Sequence, residues 1–390
     1  MKDGLARSQS LHLRVRRFGL DRLQLGTASD SFEQLALEIA DYQRSHNPVL
    51  ARLAAAAGMD RPAGQLEQIP AVPADAFRLG RVASFEASAD VVRFQTSGTT
   101  GRAGMHAFRT LDTYRELSLA WGRERLLTGV APKGRVTVLA LAAPFEPHRR
   151  SSLGYMMQEF MREFDPRALG GGADFDPLEP GRWLLAPGAL DLAALERGAA
   201  LAARRAEPLL LLATSFALGW LLEALQGASL PLPPGSVVMH TGGFKGHAQQ
   251  LTAAELGAAA SRALGVPLQR MIGEYGMTEL SSQLYDGGFA QGPEGQSVFV
   301  EPPWLRVTAV DPITLAPVPV GAVGLGCFTD LANIDSALVV LTQDEVRRVA
   351  GGLVLLGRRR GARVRGCSLA AEALAAAPVE GPRALLDAPS

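Results

Sequence analysis

Three short aliphatic runs constrain the fold of this chain more than any other feature. They are RVTVLALAAP (135–144), PLLLLAT (208–214) and SVVMHTGG (236–243). Each is too short for a buried helix and lacks polar alternation, which is the pattern of a strand buried on both faces. Helical patterns separate them: SFALGWLLEAL follows the second run, and residues 252–264 follow the third. Strands alternating with helices predict an α/β fold, with a parallel or mixed sheet covered by helices on both faces. Ligands in such sheets gather beyond the carboxyl ends of the strands. That rule directs attention to residues 96–101, 144–148, 214–216 and 241–246.

The rest of the chain fits around this frame. Phe32, Leu35, Ile39 and Tyr42 recur at helical spacing, and Val49, Leu50 and Leu53 continue the pattern to a C-cap glycine, Gly58. Residues 68–95 are punctuated by proline and end in VVRFQ, a predicted strand, while 112–129 reads as helix. Residues 166–182, with three successive glycines, read as a loop or insertion. Beyond Gly287 glycine and proline become dense, which predicts a small β-rich lobe over about 288–355. Arg358, Arg359 and Arg360 are expected in a solvated turn between Gly357 and Gly361.

Composition narrows the function classes. Of 390 residues, 47% are hydrophobic and 20% charged, so the chain is expected to fold as a globular protein. Lys+Arg and Asp+Glu both number 39, giving zero formal charge, which argues against a nucleic-acid partner. Two cysteines, Cys327 and Cys367, supply neither a disulfide framework nor a Cys-rich zinc site, and a reducing, cytoplasmic setting is expected. The N-terminus MKDGLARSQSLHLRVRRFGL lacks the apolar core of a signal peptide. The apolar stretch 208–222 is shorter than the roughly 20 residues of a membrane span and is interrupted by Thr214 and Ser215, so no stable membrane insertion is expected.

Three local motifs carry chemistry. In Thr96-Ser97-Gly98-Thr99-Thr100-Gly101 two glycines permit a tight turn whose N–H groups and four hydroxyls suit a phosphate. It is not a Walker A loop, since no Gly-Lys-Ser/Thr follows at the required spacing, and Ser/Thr/Gly runs also form ordinary turns. In Tyr275-Gly276-Met277-Thr278-Glu279 a hydroxyl beside a carboxylate suits a phosphate oxygen and its magnesium ion, although such a segment also serves as a plain loop. Thr342-Gln343-Asp344 precedes Gly357-Arg358 by thirteen residues, and an aspartate at a strand end accepts from a ribose diol or caps a turn.

Taken together, in this order, the motifs resemble the adenylate-forming superfamily of acyl- and aryl-CoA synthetases, luciferase-type enzymes and peptide-synthetase adenylation domains. LLATSFALGWLL, HTGGFKG, EYGMTELSSQLYD, DLANIDSALVVLTQD and LGRRRGARVRGCSLAAEAL are similar to acyl-protein synthetases of bacterial luciferase operons. They are equally similar to adenylating relatives in phenazine antibiotic pathways. The resemblance runs from about residue 20 to 375. It implies the large-domain fold of these enzymes, with a core over 1–355 and a hinge and vestigial C-terminal segment over 356–390.

The resemblance also implies roles. Thr96, Ser97, Gly98, Thr99, Thr100 and Gly101 would embrace the β- and γ-phosphates of ATP. Gly242, Gly243 and Phe244 would form one wall of the adenine slot and Tyr275 the other, with Gly276 and Met277 in the same nucleotide-binding turn. Thr278 would bind the α-phosphate, Glu279 the Mg2+ ion, and Asp344 the ribose hydroxyls with help from Arg358. Phe145 and His148 match the place where the family orients the acid. Phe145, Thr214, Ser215 and Phe216 would line the acid pocket.

This sequence departs from the family at four places. No lysine follows the phosphate turn, where Arg102 stands instead; Gln343 replaces the usual glycine; the acid after Gly357-Arg358 is replaced by arginine and glycine. The chain also stops at Ser390, without the family's mobile C-terminal domain and its catalytic lysine. Lys245, in a Gly-Phe-Lys-Gly turn, is the expected substitute, although it equally suits an exposed loop. Cys367 is the expected acyl acceptor, with Arg363 and Arg365 lowering its thiol pKa; the alternative is a bystander cysteine. The expected function is ATP-dependent activation of a fatty or aromatic carboxylic acid to acyl-AMP, then transfer to a thiol on Cys367 or on a partner acyl reductase or carrier. The alternatives are a CoA- or amide-forming ligase of the same superfamily and an inactive nucleotide-binding partner subunit.

Overall fold

The computed structural model describes residues 2–59, 61–96, 103–130, 135–145, 150–170, 175–186, 189–241, 253–288 and 296–359. Helices α1 (Lys2–Leu25), α2 (Phe32–His46) and α3 (Pro48–Ala56) come first. Strand β1 (Val72–Pro73) and the single turn α4 (Ala76–Leu79) lead to the paired strands β2 (Val92–Gln95) and β3 (Met105–Phe108). Then follow α5 (Asp112–Gly122), β4 (Thr137–Leu141), α6 (Ser152–Phe164), and the short pair β5 (Leu185–Ala186) and β6 (Ala189–Leu190). The middle of the chain alternates α7 (Leu192–Arg204), β7 (Leu209–Thr214), α8 (Ser215–Leu225), β8 (Val237–Thr241), α9 (Ala253–Leu264) and β9 (Met271–Tyr275). The last part is all strand: β10 (Leu284–Asp286), β11 (Phe299–Val300), β12 (Leu305–Val310), β13 (Val323–Asp330), β14 (Val339–Val349) and β15 (Gly352–Arg358).

The three aliphatic runs form β4, β7 and β8, which lie parallel with β9. Their lack of alternation is explained by register. Ala140, Leu212, Met239 and Ile272 stand side by side on one face and join the core beneath α5 and α6. Leu139, Leu211, Val238 and Met271 line the other face with residues of α7, α8 and α9. With both faces covered, these strands are mostly apolar, and their few polar residues, such as Thr137 and His240, are buried as well. From β9 onward the same sheet continues antiparallel, in the order β9-β10-β11-β15-β14-β13-β12. The glycine- and proline-rich C-terminal segment therefore extends the sheet, and β1 adds to it alongside β14. Among the described residues, no helix is long and apolar enough to cross a membrane.

Two features depart from the sequence expectations. Helix α1 has no counterpart in them. It is rich in arginine, and its buried large apolar side chains, Leu11, Val15 and Phe18, show a helical period too sparse to stand out. Arg358, expected in a turn, instead ends strand β15, because it pairs across to Asp344 in an antiparallel ladder.

Helix α1 is fastened by buried polar contacts. Asp335, on the loop between β13 and β14, accepts from Ser8 Oγ at 2.6 Å and Tyr42 Oη at 3.0 Å. Its other oxygen lies 3.0 Å from His12 Nε2 and 3.3 Å from Arg109 Nη2. Burial opposes charge on Asp335, yet the His12 and Ser8 contacts and the Arg109 charge outweigh it and hold the carboxyl below its usual range. Asp335→Ala leaves His12, Arg109 and Tyr42 without their shared acceptor. Urea unfolding is expected to show a loss of roughly 3–5 kcal/mol, and a loss below about 1 kcal/mol would refute the role assigned to this carboxylate.

Candidate functional site

The site lies where the parallel half of the sheet meets the antiparallel half. Strand β9 ends at Tyr275, and the chain turns through Gly276, Met277, Thr278 and Glu279 before entering β10. A Cβ on Gly276 would stand 2.6 Å from Glu274 Oε1, so a larger residue there would push that carboxyl aside. Leu280 N closes the turn onto Met277 O at 3.0 Å.

The described backbone flanking residues 97–102 stands against this loop. Thr96 N donates to Gly104 O at 2.9 Å, and Gly104 N donates back to Thr96 Oγ1 at 2.8 Å. Thr278 Oγ1 donates to Gln95 O at 3.3 Å, and its backbone carbonyl accepts from His106 Nδ1 at 2.7 Å. Burial pushes the His106 ring down to about 4, so the ring is neutral, with its proton on the nitrogen facing that carbonyl. Ser152 Oγ, at the start of α6, lies 3.4 Å from Thr278 Oγ1. Two segments far apart in sequence are thus joined at adjacent residues.

The third motif meets the same loop. Tyr275 Oη donates to Asp344 Oδ2 at 2.7 Å, and the Tyr275 ring stacks on Phe328 at 5.8 Å and 18°. Burial, then the neighbouring Asp344 charge, raises the phenol well above its ordinary range, so Tyr275 stays a donor. Arg358 stands directly across the ladder from Asp344, and Arg359 N donates to Gln343 O at 2.9 Å. Thr96, Tyr275, Gly276, Met277, Thr278, Glu279, Asp344 and Arg358 are therefore brought together. Ser97, Gly98, Thr99, Thr100, Gly101, His148, Gly242, Gly243, Phe244, Lys245 and Cys367 lie outside the described residues.

The four residues expected around the acid fall in different settings. Phe145 packs edge-on against Tyr155 at 5.8 Å, in a cluster with Tyr114 and Phe94. Thr214 ends β7 and caps α8, its Oγ1 accepting from Ala217 N at 3.1 Å. Ser215 is buried, with Oγ 3.4 Å from His240 Nδ1. Phe216 is 42% exposed and its ring lies near Trp220, away from the aromatic cluster.

Sequence reasoning overlooked Glu274. It belongs to a row across four strands, Thr214–Thr241–Glu274–Tyr285, whose side chains share one face of the sheet. Burial pushes its carboxyl up to about 7, against a hydrogen bond with Thr241 that pulls it down. Burial does the same to Glu279, also to about 7; the charges of Arg78 and Arg358 lower it and Asp75 raises it. A glutamate between two strand-end residues gives no sequence signal, because its burial depends on pairing with β8 and β10.

The donors present fit a magnesium nucleotide. Among the described residues there is no cluster of three or more metal-ligating side chains. Magnesium commonly takes one or two carboxylates and completes its shell with water and substrate phosphates. Glu279 beside Thr278 offers that donor set, and Asp344 retains free lone pairs for a diol while accepting from Tyr275.

Crystal structures of 2-hydroxyisobutyryl-CoA ligase resemble this chain. The open conformation in complex with 2-HIB-AMP and CoA aligns with a TM-score of 0.58 at 15% identity, covering 87% of this chain and 81% of that one. The postadenylation state in complex with R3-HIB-AMP gives 0.57 at 16%, covering 86% and 69%. ATP-bound MatB from Rhodopseudomonas palustris gives 0.47 at 16%, and this chain spans about half of its length, covering 70% and 49%. No protein-family model and no curated protein matches the sequence. The shared feature is the fold: a mixed sheet with covering helices, as in the adenylate-forming ligases.

The raised carboxyls make stability fall with pH. Between their ordinary value of 4.5 and about 7, Glu274 and Glu279 keep protons in the folded state that the unfolded chain has released. Urea unfolding of the wild type should lose stability across that window and level off above it, by on the order of 1–3 kcal/mol per group. Glu274→Gln/Glu279→Gln should flatten the profile. An unchanged slope in the double variant would show that other groups cause it.

Proposed function

We propose that this chain is an ATP-dependent ligase that activates a carboxylic acid. The acid's carboxylate oxygen bonds to the α-phosphorus, the bond to the bridging oxygen breaks, and pyrophosphate leaves with the electron pair, giving acyl-AMP. The observation that carries this reading is the convergence of three distant segments: Gln95 and His106 both hydrogen-bond Thr278, and Tyr275 hydrogen-bonds Asp344. Residues 97–101, proposed to embrace the phosphates, follow Thr96 directly in the sequence.

The roles follow from the chemistry each group offers. Thr278 hydroxyl meets the α-phosphate, and Tyr275 with Phe328 behind it gives a rigid aromatic wall for a purine. Asp344 accepts from the ribose diol. Glu279 would hold a magnesium ion, which when bound would draw charge from the phosphates. The aromatic cluster around Phe145, Tyr155 and Tyr114, beside Thr241 and Glu274, is proposed to hold the acid. Holding two anions in reactive register is the central demand on the site, and preorganised donors meet it.

The acyl group then passes to a thiol, on Cys367 or on a partner acyl reductase or carrier. Burial pushes the Cys327 thiol up to about 12, so it stays protonated and is a poor nucleophile. That leaves Cys367 as the cysteine suited to the transfer.

ATP–pyrophosphate exchange across a panel of fatty and aromatic acids tests the proposal. One class should stimulate exchange, and Asp344→Ala should lower kcat/KM on the order of 100-fold. Silence with every acid, together with no measurable ATP binding, would overturn it. For the second step, labelled acid and ATP should leave a hydroxylamine-sensitive label that Cys367→Ser abolishes. A label that persists in that variant places the acyl group elsewhere.

A further inference from the structure

We infer that the acid activated here is aromatic and carries a hydroxyl group, which Glu274 and Tyr285 recognise at the buried end of the acid pocket. This rests on the acid-activation reading above and names the substrate class which that reading leaves open. Tyr285 belongs to β10 and is not among the expected site residues.

Sheet register assembles the recognition group. Tyr285 stands directly across from Glu274 in the antiparallel pair of β10 and β9, so both side chains lie on the face covered by α5 and α6. Tyr114, from α5, approaches the same point. Burial first, and then the Glu274 charge, raises both phenols above their ordinary range, and Tyr114 acts on Tyr285 as well. Glu274 and the two phenols therefore form one close group. Tyr285 is fully buried, and its hydroxyl meets no hydrogen-bond partner among the described residues. Tyr114 is engaged, donating to Ser152 O at 3.3 Å, and Thr241 hydrogen-bonds the Glu274 carboxyl. A carboxyl with one such partner keeps further lone pairs. The group thus offers one unused phenolic donor beside one accepting carboxyl.

That pairing selects a hydroxyl, which donates one hydrogen bond and accepts another. Seated between the two side chains, a substrate hydroxyl donates to the carboxyl and accepts from Tyr285 Oη. The buried phenol then gains the partner it lacks. A plain hydrocarbon ring in the same place leaves both groups unpaired, which is the costlier outcome. The group also lies close to the turn that carries Thr278. A Cβ on Gly276 would stand 2.6 Å from Glu274 Oε1, so the carboxyl lies just under that turn. Ser152 joins the same two places: its Oγ lies 3.4 Å from Thr278 Oγ1, and its carbonyl accepts from Tyr114. A small rigid acid fits such a span, with its carboxylate toward Thr278 and its hydroxyl toward Glu274. The half-buried rings of Phe145 and Tyr155 stand beside this path, edge-on to each other, and Tyr155 lies 5.8 Å from Tyr114. Ring edges and faces of this kind suit a flat aromatic substrate.

Pyrophosphate exchange with matched acids tests the inference: benzoic and naphthoic acids against their monohydroxy counterparts, with a medium-chain fatty acid alongside. In the wild type at least one hydroxy acid should exceed its plain counterpart on the order of 100-fold in kcat/KM, and should also exceed the fatty acid. Tyr285→Phe and Glu274→Met should each cut that preference roughly 10-fold. Tyr285→Phe should unfold in urea at the wild-type midpoint or above it, because the hydroxyl it removes has no partner in the fold. Equal rates for hydroxy and plain acids, or a preference unchanged in both variants, would overturn the assignment. A lowered urea midpoint in Tyr285→Phe would do the same, since it would give that hydroxyl to the fold. Silence of every aromatic acid would overturn the substrate class, and exchange with the fatty acid would then leave the acid-activation reading standing. No exchange with any acid and no ATP binding would overturn that reading too.

Discussion

The site depends on the loop between β13 and β14, and above all on Asn333. Its side-chain amide donates to Glu279 O at 2.9 Å and Ala337 O at 3.0 Å, while its oxygen accepts from Ser281 Oγ at 2.6 Å. Three residues earlier, Asp330 accepts from Ser281 N, Ser282 Oγ and Ala332 N. Burial raises the Asp330 carboxyl to about 6 despite those donors. Two residues later, Asp335 gathers α1 and α2. One loop thus fixes the segment carrying Glu279 and ties it to the N-terminal helices. Buried polar networks of this kind specify a unique arrangement only when their members are satisfied.

The electrostatics of the site follow from that anchoring. Glu274 and Glu279 are held away from water and resist ionisation near neutral pH. A carboxyl in that state waits for a cation to ionise fully. The charges of two arginines, Arg78 and Arg358, act against that burial at Glu279.

Much of the fold was legible because it rests on local pattern. The aliphatic runs became β4, β7 and β8, since strands buried on both faces favour near-continuous apolar side chains. Phe32, Leu35, Ile39 and Tyr42 became the buried face of α2 for the same kind of reason. Helix α1 was missed because its Arg-rich surface masks a short apolar stripe, and its fastening through Ser8 and His12 involves a residue more than three hundred positions away. Arg358 was assigned to a turn because a cluster of arginines beside glycine resembles solvated surface until its ladder partner is known.

The sequence by itself determined where residue types suited to nucleotide chemistry fall: hydroxyls and glycines at 96–101, Thr278 with Glu279, and Asp344. Those groups announce themselves through residue type and short spacing. Only the tertiary structure decided which neighbours stand beside them. His106 beneath Thr278, Glu274 in its row of four strands, and Arg78 against Gly104 have no local signature. Their environment comes from sheet register and from loops packed across long sequence separations. Burial, charge proximity and hydrogen-bond direction are properties of that packing, so no linear pattern records them.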